Sequence, residues 1–173
     1  MEWKFPVYTM GDAVTATIVE PSNEQHLWQW ENTSEIADCC YLPLPGAEDY
    51  RTEKIISRQQ DFRFYSYGKT LHGKLAPLVV VCANRLLTED ECFDPDIVFT
   101  HTSSKRTWDS ICVDLGVQDK LYHIVQQTGN VVSASVPTAI SMAEKDGSLK
   151  RGDNVLVLFG SAGGSALAYQ LKY

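Results

Sequence analysis

From residue 96 onward, short unbroken apolar runs alternate with segments whose apolar residues recur every three or four positions. Asp96–Thr100 (DIVFT) and Asn154–Leu158 (NVLVL) are strand-length runs, the second continuous enough for a central strand covered on both faces. Lys105–Leu115 places Trp108, Ile111, Cys112 and Leu115 on one helical face and stops at Gly116. Leu121–Gln126 reads as a strand running into Thr128-Gly129-Asn130, and Ser135–Lys145 as a helix behind that loop. After a turn at Gly147–Gly152, the Asn154–Leu158 strand leads into a small-residue loop, Gly160–Gly164, and Ser165–Tyr173 closes as a last strand.

Upstream, Ala13–Glu20 (AVTATIVE) alternates β-branched and small residues and ends at Pro21-Ser22-Asn23, a strand followed by a turn. Residues 27–42 read as strand material at a sheet edge, 42–51 as a loop, and 61–67 as a strand or an extended lead-in. Lys69–Leu87 has helical spacing at Leu71, Leu75, Leu78, Cys82 and Leu86, with Gly73 and Pro77 expected to bend it or delay its start. Thr88–Glu91 reads as an acidic surface turn. Strands and helices alternate with no internal linker or repeat. The expectation is a single α/β domain over 1–173, with a mixed sheet and helices against it.

Composition narrows the function classes. Hydrophobic residues at 44% and charged residues at 21% describe a globular chain. A net charge of −7 argues against nucleic acid as the main partner, because phosphate binding needs a basic face. No apolar run is long enough to span a bilayer, and the start Met1–Pro6 does not read as a signal peptide. Cys39, Cys40, Cys82, Cys92 and Cys112 lack CxxC spacing, and the four His are scattered; neither a metal site nor a disulfide framework is indicated. The expected compartment is a reducing cytoplasm.

Two loop residues follow short buried strands, where an α/β sheet exposes side chains to a ligand crevice: His101 in FTHTSSKR and Asn130 in QQTGNVVSAS. A His after a strand also reads as a structural residue, and an Asn after Gly as a turn residue. The Gly160–Gly164 loop lacks GxGxxG and GxxxxGK[ST], and Phe159 stands where a GxSxG serine elbow needs its first Gly. Backbone N–H groups there remain candidates for an oxyanion hole.

Taken together, His101, Gly129-Asn130, Ser133-Ala134-Ser135, Pro137, Asp146-Gly147, Lys150-Arg151-Gly152 and Phe159-Gly160 resemble, in order and spacing, the C-terminal half of ketoacyl synthase III enzymes of the thiolase superfamily. Met10-Gly11-Asp12-Ala13 resembles the Gly-Asp-Gly-Ala that opens that half. Two departures stand out: the family's Gln-Ala-Asn after the His is Thr102-Ser103-Ser104 here, and the final Gly-rich loop is shorter. The family's nucleophilic Cys lies in the N-terminal half, and none of the five cysteines occupies a matching strand-to-helix elbow.

The resemblance implies a thiolase-like C-terminal half layered against a partner half. It implies an acyltransferase of fatty acid, polyketide or other secondary metabolism that binds no cofactor and uses coenzyme A or acyl-carrier-protein thioesters. His101 and Asn130 would donate hydrogen bonds to a thioester oxygen in a decarboxylative condensation. Acyl transfer to an alcohol or amine would need only a base. Gly160 would supply an oxyanion-hole N–H, Arg106 would meet a cofactor phosphate or carrier protein, and Ser104 would replace the supporting Asn in the substrate loop. The Cys would come from an N-terminal-half subunit; the alternative is an accessory subunit that shapes a complete, Cys-bearing synthase. Ala134, Val136, Ala139, Ile140 and Ala143 suit a helix packed against a symmetry-related layer.

Overall fold

The computed structural model describes residues 9–23, 26–41 and 64–173, and the backbone of Glu48–Asp49 and Lys54–Ile55. Its centre is a five-stranded mixed sheet. The strands are β1 (Trp28–Asn32), β6 (Ile97–Thr100), β7 (Leu121–Tyr122), β8 (Asn154–Ser161) and β9 (Ser165–Lys172), in the order β1-β9-β8-β6-β7. The hairpin β8–β9 and the edge strand β1 are antiparallel, whereas β8, β6 and β7 run parallel. Two short ladders lie apart from it: β2 (Cys40–Tyr41) with β5 (Tyr65–Ser66), and β3 (Glu48–Asp49) with β4 (Lys54–Ile55).

Helices cover both faces. On one, α1 (Gly68–Glu89) and α2 (Lys105–Asp114) bury Val79, Cys82, Leu86, Trp108, Ile111 and Cys112 against Val98, Leu156, Leu158, Ala166 and Ala168. On the other, α4 (Ser135–Asp146) lays Val136, Ala139 and Ala143 on Ile97, Phe99, Val155 and Val157. A single helical turn, α3 (Val125–Thr128), joins β7 to the Gly129-Asn130 loop. The helix α1 starts at Gly68 and keeps Pro77 inside it. An interior proline costs about 3 kcal/mol. Six buried side chains on one face, Leu71, Leu75, Val79, Cys82, Ala83 and Leu86, outweigh that, since a large aliphatic one contributes roughly 1.5–3 kcal/mol.

Several expectations change. Ala13–Glu20 is an exposed, irregular segment, with Val14 99%, Ile18 92% and Val19 85% accessible. It lies along neither edge of the sheet, β1 or β7, and a strand forms only where a neighbour takes its N–H and C=O groups. Leu121–Gln126 divides into the two-residue β7 and the turn α3. Gly160 is a strand residue: β8 continues to Ser161, and only Ala162-Gly163-Gly164 turns. The acidic turn starts later, because α1 runs through Glu89. Of the five positions at and within α4 expected to pack against a foreign layer, Ala134, Val136, Ala139 and Ala143 are buried within this chain. The 42–51 loop lies largely outside the described residues, and its Glu48–Asp49 pairs with β4. Among the described residues, no helix is long and apolar enough to cross a membrane.

Half-buried imidazoles make this fold acid-sensitive. His123 Nδ1 lies 3.2 Å from Thr100 Oγ1, and its Nε2 is buried without a partner. Burial, aided by the Lys105 charge, lowers its pKa to about 4, and burial lowers His72 and His101 too. An unfolded His titrates near about 6.5, so the unfolded state takes up protons first as pH falls. Stability should therefore be level above about pH 7 and fall from about pH 6.5 towards 4. Urea midpoints between pH 5 and 7 should drop less steeply for His123→Leu; an unchanged slope would remove His123 as a cause.

Candidate active site

The site forms where the parallel ladder ends. The last β6–β8 pair is Thr100↔Leu158, and the His101 N–H still donates to Leu158 O at 3.3 Å. The chain then leaves the sheet, and His101 stands at the strand tip. Because N–H and C=O of one strand residue point the same way and repeat every second residue, Gly160 directs its N–H to the side of β8 where β6 has ended. A Cβ at Gly160 would be in ordinary contact with Leu75 and Val79 of α1.

Asn130 is held by backbone. Its N–H donates to Thr9 O at 2.6 Å, and Gly11 N–H donates to Asn130 O at 2.9 Å, a bridge that brings Met10-Gly11 beside Gly129-Asn130. Both glycines are needed there. A Cβ on Gly11 would stand 1.8 Å from Thr128 O, and Gly129 has φ +67° with its Cβ position 2.9 Å from Thr9 O. Asn130 Oδ1 accepts the Val132 N–H at 3.0 Å, which leaves the Nδ2 hydrogens free to donate. Val132 itself sits at φ +51°, a costly conformation for a β-branched residue, at the cavity wall.

Behind His101 runs a chain of hydroxyls. Val131 N–H donates to Thr102 Oγ1 at 3.0 Å, and Thr102 Oγ1 lies 2.7 Å from Ser135 Oγ. Ser135 Oγ donates to Val132 O at 2.5 Å and lies 3.1 Å from His101 Nδ1. Thr102 and Ser135 are both fully buried. The pKa of His101 is lowered, chiefly by burial, with the Val132 carbonyl opposing and the neighbouring His72 adding to the shift. The imidazole is neutral at pH 7.

A cavity of about 570 Å³ collects His101, Asn130, Gly160 and Ser104 on its wall. Ser104 is also the N-cap of α2, accepting the Thr107 N–H at 3.3 Å. Arg106 is exposed in the first turn of α2 and is not part of the wall. Residues that sequence reasoning passed over also line it. His72 bonds Thr107 Oγ1 through Nδ1 at 3.0 Å, and Cys40 is also on the wall. Burial above all raises the Cys40 pKa against an opposing Ser66 hydrogen bond, so the thiol stays protonated. The faint signal for His72 was its place beside Leu71 at the margin of the buried face of α1. Among the described residues, no cluster of His, Cys, Asp and Glu is fit to hold a metal. Replacing Thr102 by the isosteric Val should leave Val131 N–H unsatisfied and destabilise the fold by about 1–3 kcal/mol, read from urea unfolding.

The mixed sheet with helices on both faces is the architecture of a thiolase-like α/β fold, with His101 at a strand tip and Asn130 in the loop after α3. Residues 91–173, slightly less than half of the chain, match the family described as 3-oxoacyl-[acyl-carrier-protein (ACP)] synthase III C terminal, and over that part the chain is ketoacyl synthase III-like. It is 24% identical over 174 residues to the beta-ketoacyl-[acyl-carrier-protein] synthase III of Clostridium tetani, covering 94% of this chain and 52% of that one. A second such synthase, from Halalkalibacterium halodurans, is 43% identical over 70 residues, covering 39% of this chain and 20% of that one. The crystal structure of the Thermus thermophilus enzyme superposes with a TM-score of 0.73 at 19% identity, over 84% of this chain and 45% of that one. The chain thus spans about half the length of its fuller relatives.

Proposed function

We propose that this chain is the His/Asn-bearing half of a ketoacyl synthase III-like acyltransferase, acting on coenzyme A or acyl-carrier-protein thioesters with a Cys from a partner chain. The observation that carries this is the convergence of His101, Asn130 and the unladdered N–H of Gly160 on one largely apolar cavity. Asn130 Nδ2 and the Gly160 N–H are donors, so they stabilise the negative charge that develops on a thioester oxygen. Such preorganised groups contribute roughly 3–4 kcal/mol each. Ser104 lies on the cavity wall, and Arg106, exposed in the first turn of α2, would meet a phosphate or carrier outside the cavity. In the assembled enzyme, His101→Ala and Asn130→Ala should each slow turnover by about a hundredfold, and Arg106→Ala should raise KM for the thioester more than it lowers kcat. Near-normal turnover in both site variants would transfer support to the accessory-subunit reading.

A partner half is supported by uncovered apolar surface. On β1, Trp28 and Trp30 are each 57% accessible, on the face that pairs them with Tyr169 and Leu167 of β9. The strand-like Ala13–Glu20 is exposed along its length. An open apolar face of this kind marks an obligate interface. Sedimentation should show the isolated chain self-associating at micromolar concentration, and Trp28→Ser with Trp30→Ser should return it towards monomer. A stable wild-type monomer would contradict the partner-half arrangement.

A further inference from the structure

We infer that His72 sets specificity at the cavity by hydrogen-bonding an uncharged amide or hydroxyl that the ligand carries several bonds from its reacting carbonyl; this rests on the thioester reading above. The helix α1 presents Gly68, Leu71, His72, Leu75, Ala76 and Val79 to the cavity, the spacing of one helical face. His72 is the polar side chain of that stripe. A leucine or phenylalanine would pack there at no polar cost, whereas a half-buried ring nitrogen costs free energy until a partner completes it. Thr107 Oγ1 meets Nδ1 at 3.0 Å and fixes the ring between α1 and α2. Among the described residues Nε2 has no hydrogen-bond partner and, unlike His123 Nε2, is not sealed in the core. Either tautomer serves, since Nε2 donates when it carries the ring hydrogen and accepts when it does not.

The wall also limits what that partner can be. No Asp, Glu, Lys or Arg lines the cavity among the described residues, so no side chain there pairs a charged ligand group. Burial lowers the His72 pKa and keeps the ring neutral, which suits an uncharged partner. Its place along α1 sets the distance. Leu75 and Val79 lie against Gly160, 3.5–3.7 Å from its Cβ position. At about 1.5 Å of rise per residue, His72 stands roughly 5–10 Å from those two, towards the helix start. A carbonyl held at the Gly160 N–H is therefore several bonds from a group met by His72. An amide in the thiol arm of a thioester fits that spacing, and so does a hydroxyl along its acyl chain.

Three thioesters separate these cases. S-ethyl hexanethioate has no further polar group, hexanoyl-N-acetylcysteamine has an amide in its thiol arm, and S-ethyl 6-hydroxyhexanethioate has a hydroxyl on its acyl chain. Calorimetric titration of the full chain should show at least one polar thioester bound about tenfold or more tighter than the plain one. His72→Leu should abolish that preference and His72→Asn restore part of it, while the plain thioester binds all three proteins alike. Preference for the amide thioester assigns the recognised group to the thiol arm, and preference for the hydroxyl thioester assigns it to the acyl chain. In nitrogen NMR of the wild type, the His72 ring resonances should move with the preferred thioester and not with the plain one. Unmoved resonances, no preference in the wild type, or a preference that persists in His72→Leu each overturn the inference and leave the thioester reading standing. If none of the three binds the wild type, the thioester reading fails at this cavity and the inference fails with it.

Discussion

Everything at the site depends on where two parallel strands stop pairing. The β6–β8 ladder is buried on both faces and ends at Thr100↔Leu158, with one further bond from His101 N–H to Leu158 O. That single termination lifts the imidazole to the strand tip. It also frees the next inward-facing N–H of β8, at Gly160. All four residues of β6 are buried, Val98 against α1 and α2 and Ile97 and Phe99 against α4, so packing on both faces fixes where the strand ends. Site geometry and core packing are thus the same constraint.

The second organising element is polar and sits inside an apolar setting. Thr102 and Ser135 are buried hydroxyls that satisfy one another, the Val131 N–H and the Val132 carbonyl. In low dielectric such a chain is strong when complete and costly when broken. It holds Val132 at φ +51°, a position that a valine would not occupy unaided. The paired glycines, Gly11 and Gly129, bring the N-terminal segment against the Asn130 loop, so that residues far apart in the chain fix one side chain.

His101 was legible because it follows an apolar strand-length run, and a strand tip has few places to put the next side chain; Asn130 was legible through the Thr128-Gly129 turn signal before it, although the strand expected there is the two-residue β7 and the turn α3. Ser104 was legible as a loop residue, and its capping role follows from the helix it precedes. Gly160 was misread as loop: five small residues suggested a turn, but β8 stays paired with β9 through Ser161 and only Ala162-Gly163-Gly164 turns. His72 and Ser135 carried almost no sequence signal. One belongs to a helix margin and the other to a helix start, and only docking of α1, α2 and α4 on the sheet brings them to the cavity wall or to His101.

What the sequence by itself determined is periodic and local: the buried runs of β6 and β8, the apolar faces of α1, α2 and α4, and the residues that must follow them. Those come from the apolar period and from glycine at the turns, and they need no knowledge of neighbours. The tertiary structure alone decided which edges had partners. An alternating, strand-like pattern leaves Ala13–Glu20 bare while β8 is paired on both sides, because strand pairing is satisfied only by a neighbour in space. It also decided which groups meet around His101, since Ser135 Oγ reaches Nδ1 only once α4 is docked on the sheet.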